Sequence, residues 1–251
     1  HIMELNLQNR EHAYMIGLLQ TDGHHYESTR NRGRIGLELS EKDKDIVDRL
    51  YKLVDGEAKI NERVRKTNFK TNSKTVILNI HSLSIRTQFK DYIPVGKKSD
   101  SIKMPDNISE SDYWRGIIDG DGSLGLTNNL FPFISLVTKS ESLANSFINY
   151  IEKITGLKKT STRNKRDLAY NICLTKEAAQ KLINMLYYEN CLCMDRKREK
   201  ANIAISWVRP DNMQKVTWER KKWTQFEDDF ISTHTIDESI EKLNRTEKSI
   251  K

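Results

Sequence analysis

The sequence predicts an α+β fold made of two copies of one αββαββα unit, related by a pseudo-twofold axis. Each copy carries a four-stranded antiparallel sheet, and a small helical tail follows them. Three observations carry this reading. Two apolar stretches, Tyr14 to Gly23 and Tyr113 to Gly122, each run into Asp-Gly. Each is followed by the apolar/polar alternation of half-buried strands. The programme then restarts after about 100 residues, with Gly156 answering Gly56 and Asn171-Ile172 answering Asn79-Ile80. The expected divisions are a first half over residues 8–93, a linker over 94–108, a second half over 109–207 and a tail over 208–251.

The first helix is expected from Glu11 to Thr21, with Ala13, Gly17 and Thr21 at i, i+4 and i+8. Its counterpart, Ser109 to Gly120, has Gly116 and Gly120 four apart. Glycine inside a helix costs about 1 kcal/mol relative to alanine, so a stripe of small residues asks for a reason, and close packing of the two helices supplies one. Ala13, Gly17 and Gly116 are the expected interface. Taken singly, either stretch is an ordinary helix with a glycine after its cap. The repetition argues for more, because aspartate sits at the unfavourable end of the helix dipole. Two carboxylates at about 6 Å repel by about 3 kcal/mol at an effective dielectric near 20, which a cation would offset. Carboxylates with open coordination positions suit Mg²⁺ meeting a phosphate.

Strands are expected over His24 to Arg30 and Arg34 to Ser40 around a turn at Asn31-Arg32-Gly33, with Ile35, Leu37 and Leu39 facing the core. A helix capped by Ser40 follows, with Ile46, Val47, Leu50, Leu53 and Val54 as its apolar stripe. The next hairpin has a polar loop over Lys66 to Lys74 before Thr75 to Ile80, and a helix over Ser82 to Tyr92 closes the half. In the second half, strands Gly122 to Thr127 and Phe131 to Thr138 precede a helix over Ser140 to Thr155. A hairpin over Leu157 to Leu174, turning at Asn164 to Asp167, then leads to a helix over Lys176 to Tyr188. Glu27 stands where the second half has Leu126, with no local reason for it.

Lys and Arg number 42 against 35 Asp and Glu, a net charge of +7 that suits a polyanionic partner. Hydrophobic residues make up 37 % and charged residues 31 %, more polar than an ordinary globule and consistent with solvated strands. Apolar runs are too short for a membrane span and no secretory leader is visible, so the expectation is an intracellular protein, not secreted, with no membrane partner. Three cysteines, Cys173, Cys191 and Cys193, lack zinc spacing and read as reduced and structural.

At the two Asp-Gly stretches the chain resembles the LAGLIDADG homing endonucleases, in the version with two motif copies on one polypeptide. Gly17-Leu18-Leu19-Gln20-Thr21-Asp22-Gly23 and Gly116-Ile117-Ile118-Asp119-Gly120-Asp121-Gly122 are the copies. The first departs by carrying Gln20 and Thr21 where the family often has Asp and Ala. The resemblance covers about residues 8–207 and implies a monomer, with no protein partner, that cuts double-stranded DNA across the minor groove and leaves short 3′ overhangs. Asp22 and Asp121 would be catalytic metal ligands, helped by the backbone carbonyls of Thr21 and Gly120. Mg²⁺ would be the cofactor, Mn²⁺ a substitute, and Ca²⁺ a support for binding without efficient cleavage. Such genes serve intron or intein mobility. Lys98 and Lys197, after the last helix of each half, occupy the places of the family's catalytic lysines; a solvated linker lysine is the alternative for each.

Polar strand faces can read the major groove. The candidates are His24, Tyr26, Ser28, Arg30, Arg32, Arg34, Glu57, Lys59, Asn61 and Arg63 in the first half. In the second they are Ser123, Thr127, Asn128, Lys159, Ser161, Arg163, Asn164, Lys165, Arg166 and Asn171. Any solvated strand face has this composition as well. His24 and His25 beside Asp22 lack a third ligand at zinc spacing, so groove contact or plain exposure is the reading. Beyond Trp207, the stretches Trp223 to Ile231 and Ile240 to Ile250 resemble the first helices of a Myb- or helix-turn-helix-like module. Extra DNA contact and a helical tail packed on the body both fit. The expected function is site-specific cleavage of a target of about 20 base pairs. Its rivals are a silent binder, as an intron RNA maturase or transcription regulator, and a duplication with no nucleic-acid role.

Overall fold

Helix α1 (Arg10–Thr21) begins at Asn9, whose side chain accepts the N–H groups of Glu11 and His12 at 3.0 and 3.1 Å. Those are two of the donors a helix start leaves unmatched. The computed structural model describes residues 3–67, 70–97, 99–213 and 222–250. Within it the chain divides into two compact units, residues 1–207 and 208–251.

After α1 come β1 (Gly23–Glu27), β2 (Gly33–Ser40), a 3-10 turn (Glu41–Asp43), α2 (Lys44–Leu53), β3 (Ala58–Thr67), β4 (Lys70–Ile80) and α3 (Leu83–Phe89). The strands form one antiparallel sheet in the order β1-β2-β4-β3. Ile35, Leu37 and Leu39 face the core, together with Ile46, Val47 and Leu50 of α2. The expected strand to Arg30 ends earlier, at Glu27. Arg30 and Asn31 both have φ of 57° and make a tight hairpin turn of the primed kind, closed by Arg32 N–H to the Thr29 carbonyl at 3.3 Å and flanked by Ser28 N–H to the Arg32 carbonyl at 2.6 Å. Ser28 and Arg30 therefore lie in the turn. The polar loop expected over Lys66 to Lys74 is mostly strand: β3 and β4 stay paired from Ala58↔Ile80 out to Thr67↔Lys70. A ribbon polar on both faces has no apolar alternation to announce it.

The second half has α4 (Glu110–Gly120), β5 (Gly122–Leu126), β6 (Pro132–Thr138), α5 (Glu141–Thr155), β7 (Tyr170–Thr175), α6 (Lys176–Leu186) and α7 (Asp195–Ile205). Its sheet has three strands, β5-β6-β7, instead of the four expected. The strand foreseen after Leu157 does not form. Asn164 and Asp167 bond nearby backbone, with Asn164 accepting Arg166 N–H at 2.8 Å and Asp167 accepting Ala169 N–H at 3.3 Å. Such local bonds compete with a ladder. Leu168 also stands at φ 56°, off strand geometry. The chain rejoins the sheet at Tyr170, opposite Thr138. Helix α7 was not foreseen, because its sequence is mostly charged and only Lys197, Ala201 and Ala204 are buried.

Glu27 has its reason in distant sequence. Its carboxylate takes one guanidinium nitrogen of Arg86, a residue only 2 % exposed, and the His25 Nε2 at 2.7 Å. The Arg86 hydrogen bond is the main cause holding the Glu27 carboxyl below its ordinary range. His25 is itself buried, with Nδ1 2.8 Å from the Ile93 carbonyl. In the second unit, α8 (Gln225–Thr233) and α9 (Ile236–Leu243) start with capping boxes at Thr224/Glu227 and Thr235/Glu238, and α10 (Glu247–Ile250) follows. Arg245 bonds Glu227 at 2.9 Å and lies 4.3 Å above the Trp223 ring.

The two halves meet where α1 crosses α4. A Cβ on Gly17 would collide with the Tyr113 carbonyl oxygen and lie 3.0 Å from Ile117 N, and one on Gly116 would collide with the Tyr14 carbonyl oxygen and lie 2.8 Å from Leu18 N. Backbone faces backbone, so neither neighbour can yield. Gly17→Ala and Gly116→Ala should each lower stability by about 1–3 kcal/mol, read from urea unfolding; an unchanged midpoint would mean the helices do not meet there. Glu27→Leu, which copies the second half, leaves a buried guanidinium without its carboxylate and should cost about 2 kcal/mol in the same assay.

Candidate active site

Both aspartates stand one residue past their helices. Asp22 has φ −93°, ψ −14° and donates its N–H to the Leu18 carbonyl at 3.0 Å; Asp121 has φ −101°, ψ −10° and donates to the Ile117 carbonyl at 2.9 Å. Both side chains are exposed, although the helices beneath them are almost wholly buried. The same crossing that excludes a Cβ at Gly17 brings the helix ends together. A Cβ on Gly120 would strike the Thr21 hydroxyl and sit 3.4 Å from an Asp22 carboxylate oxygen. Thr21 donates its hydroxyl back to the Leu18 carbonyl at 2.9 Å, which fixes its side chain against the partner helix. Of the expected interface residues, Gly17 and Gly116 abut the opposite helix, and Ala13 is buried on α1.

Asp121 and Thr21 line a cavity of about 350 Å³ with Ser99, Ile102, Thr138, Lys139 and Asp167 among its other walls. Asp167 and Lys139 were not among the sequence candidates; only the fold of residues 156–169 against the sheet brings Asp167 to this wall. Lys98 lies outside the described residues. Among the described residues no group of three His, Cys, Asp or Glu side chains gathers at one point. Two exposed carboxylates at abutting helix ends are oxygen donors of the kind that suits a hard divalent cation.

Lys197 is placed differently from a solvated linker lysine. It is 5 % exposed, and its Nζ donates to the carbonyls of Ile118 at 2.9 Å and Gly122 at 2.5 Å, on either side of Asp121. A cation there also opposes the negative end of α4. Burial pulls its pKa down to about 8, against the raising influence of Asp119 and, more weakly, Asp22. Asp119 is fully buried beneath the site. It accepts hydroxyls from Tyr14 and Tyr187, both at 2.6 Å, and the Met194 N–H at 2.8 Å. Burial pushes its carboxyl above the ordinary range while these donors pull it back.

The groove candidates divide by element. His24 and Tyr26 are exposed on β1, Arg34 on β2, and Lys59, Asn61 and Arg63 on β3. The His24 ring lies over Gly36, where a Cβ would displace it, and the Arg34 guanidinium is 5.6 Å from the Tyr26 ring centre. Arg32 sits in the β1–β2 turn, and exposed Glu57 just precedes β3. Ser123 is on β5, Asn171 on β7, and Thr127 and Asn128 are in the turn after β5. Lys159, Ser161, Arg163, Asn164, Lys165 and Arg166 lie on the irregular segment before β7. The Arg163 Nε is held by the Leu168 carbonyl at 2.8 Å. His25 is turned inward and belongs to the Glu27 network. Cys191 and Cys193 are buried free thiols.

Residues 10–94 match the model of the LAGLIDADG-like domain. Those residues belong to the LAGLIDADG-like domain family, and the fold of the chain is that of LAGLIDADG endonucleases. The solved structures it resembles extend that likeness beyond residue 94. The LAGLIDADG homing endonuclease I-SmaMI bound to cleaved DNA superposes with a TM-score of 0.56 at 13 % identity, covering 80 % of this chain and 89 % of that one. The homing endonuclease I-WcaI bound to its DNA recognition sequence gives 0.56 at 15 % identity, covering 78 % and 87 %. I-SmaMI bound to an uncleaved DNA target in the presence of calcium ions gives 0.54 at 12 % identity, covering 78 % and 90 %. No curated protein matches the chain in sequence. At these identities the likeness to solved structures is one of fold. Each half contributes one helix of the crossing pair, followed by an exposed aspartate.

The depressed Lys197 pKa has a consequence for stability. Its folded value, about 8, lies below its ordinary 10.5, so between those values the unfolded chain holds a proton that the native chain has lost. This group's contribution to stability therefore rises with pH across that window and is flat below it. Urea unfolding of the wild type and Lys197→Met should diverge in favour of the wild type between pH 8 and 10; parallel curves would mean Lys197 is solvated.

Proposed function

We propose that the chain is a site-specific endonuclease that binds double-stranded DNA along the polar faces of its sheets and hydrolyses one phosphodiester in each strand at the aspartate pair. The observation that carries this reading is the abutment of two helix ends, each finishing in an exposed aspartate, over a crossing too tight for any Cβ. Two like charges are held together at the unfavourable ends of two helix dipoles, an arrangement with little structural use and a clear use beside a cation and a phosphate.

Asp22 and Asp121, with the carbonyls of Thr21 and Gly120, would hold divalent metal. Mg²⁺ is the expected ion, with Mn²⁺ substituting. When bound, such a cation lowers the pKa of a water and neutralises phosphate charge. This chain's residues do the rest. The aspartates accept, orient and localise; Lys197, anchored through the carbonyls beside Asp121, adds fixed positive charge near the phosphate. The water gives up a proton to solvent as its oxygen bonds to phosphorus and the bond to the 3′ oxygen breaks, and the leaving oxygen takes a proton from solvent. His24, Tyr26, Arg34, Lys59, Asn61 and Arg63 provide donors and acceptors for base edges, and the lysines and arginines before β7 provide phosphate contacts. Two such surfaces span a site of about 20 base pairs, and cuts across the minor groove leave short 3′ overhangs.

The test selects bound duplexes from a random-sequence library in Ca²⁺, whose looser geometry supports binding over turnover, and then exchanges it for Mg²⁺. The wild type should enrich a discrete site and cut both of its strands. Asp22→Asn and Asp121→Asn should each lose double-strand cleavage by at least about 100-fold while holding affinity within about threefold, consistent with the loss of a group acting on the transition state. A bound pool that stays intact would leave a silent DNA binder, and enrichment of nothing would exclude DNA.

A further inference from the structure

The two motif copies carry different polar residues at one buried position, and the difference is ordered. Gln20 and Asp119 both stand two residues before a site aspartate, and both are buried, at 1 % and 0 % exposure. Each receives a hydroxyl from the opposite helix: Tyr113 donates to Gln20 Oε1 and Tyr14 to Asp119 Oδ2, both at 2.6 Å. These reciprocal bonds lock the helix pair. The remaining valences go elsewhere. The Gln20 amide nitrogen donates to the carbonyls of Tyr92 at 3.0 Å and Lys103 at 3.1 Å, which bracket the segment joining the two halves. Asp119 accepts the Tyr187 hydroxyl and the Met194 N–H, which bracket the segment between α6 and α7.

An amide can both donate and accept, whereas a carboxylate only accepts. The first segment turns two carbonyls toward the helix pair, and the second turns two donors toward it. Glutamine and aspartate are each the residue that satisfies its own side. The reverse choice would bury like against like, at the cost of unsatisfied polar groups. Each tethered segment then reaches the site. Ser99, between Tyr92 and Lys103, lines the Asp121 cavity, and Met194 immediately precedes α7, which carries Lys197.

We propose that Gln20 and Asp119 are positioning residues that tether the post-helical segment of their own half to the helix pair, and that Gln20 thereby acts on the Asp121 site of the other half. The part of this that concerns cleavage rests on the endonuclease reading above; the tether itself does not. Gln20 is then no decayed copy of an aspartate.

Two near-isosteric changes reverse the polarity: Gln20→Glu faces a carboxyl toward two carbonyls, and Asp119→Asn faces an amide toward two donors. Hydrogen exchange on the full-length protein should show Gln20→Glu speeding exchange at least about tenfold across residues 92–103 with residues 187–194 unchanged. Asp119→Asn should do the reverse. Exchange raised equally in both segments, or in neither, overturns the tether without reference to cleavage. If either variant does not fold, Gln20→Met removes both tether bonds together with the one from Tyr113, Tyr187→Phe removes one of the two tether bonds to Asp119, and each carries the same selective expectation.

On a duplex labelled separately in each strand, Gln20→Glu should lower kcat with KM for DNA unchanged. It should slow the strand that depends on Asp121 at least fivefold more than the strand that depends on Asp22, the two being identified with the single aspartate variants. Equal slowing overturns the cross-half action while leaving the tether. A wild type that cuts no duplex refutes the endonuclease reading, and the exchange result still decides the tether.

Discussion

The contact on which the rest depends is the one between the backbones of α1 and α4. With no Cβ at Gly17 or Gly116, carbonyl and amide groups of the two helices approach to distances that any side chain would prevent. That closeness places the two helix ends side by side, and the chain leaving each end starts a sheet at once, β1 at Gly23 and β5 at Gly122. Interface, aspartates and strand faces are thus set by one crossing. Apolar packing then surrounds it, with Trp114 against Phe147 at 4.9 Å and buried residues from both sheets continuing into one core. Helix ends that finish in carboxylates would be a poor choice for stability alone.

Around the crossing lies a buried polar layer that orders what surrounds the site. Tyr14, Tyr113, Gln20 and Asp119 join the helices to one another, to the segment joining the halves and to the segment between α6 and α7. Lys197 adds a cation whose two acceptors are backbone carbonyls flanking Asp121. Buried polar groups satisfied this completely restrict the arrangement of their surroundings more than they add net stability. The proposed cleavage asks for geometry at the helix ends, and the polar layer lies beneath them while the aspartates stay exposed.

The parts legible in the sequence are those whose cause is local. Glycine spacing foretold the crossing, and alternation in Ile35, Leu37 and Leu39 foretold the first sheet's inner face, because both patterns act over a few residues. The parts that were not legible depend on distant partners. Glu27 is explained by Arg86, Gln20 by Tyr92 and Lys103, and the burial of Lys197 by the end of α4. Residues 156–169 carry the composition of a solvated strand, and the local bonding of Asn164 and Asp167 turned them away from it. The β3–β4 ribbon shows the converse, where polar sequence taken for loop remains paired.

The measurement that bears most directly on the aspartate pair is localised backbone scission. Fe²⁺ in place of Mg²⁺, with ascorbate and peroxide, generates hydroxyl radicals at the bound ion and cuts the polypeptide nearby. With a selected duplex present, the cuts should fall beside Asp22 and Asp121 and, through the fold, beside Lys197. Asp22→Asn and Asp121→Asn should each remove part of the pattern. Cuts concentrated elsewhere in the chain, or a pattern unchanged by both substitutions, would show that the crossing of α1 and α4 does not assemble a metal site.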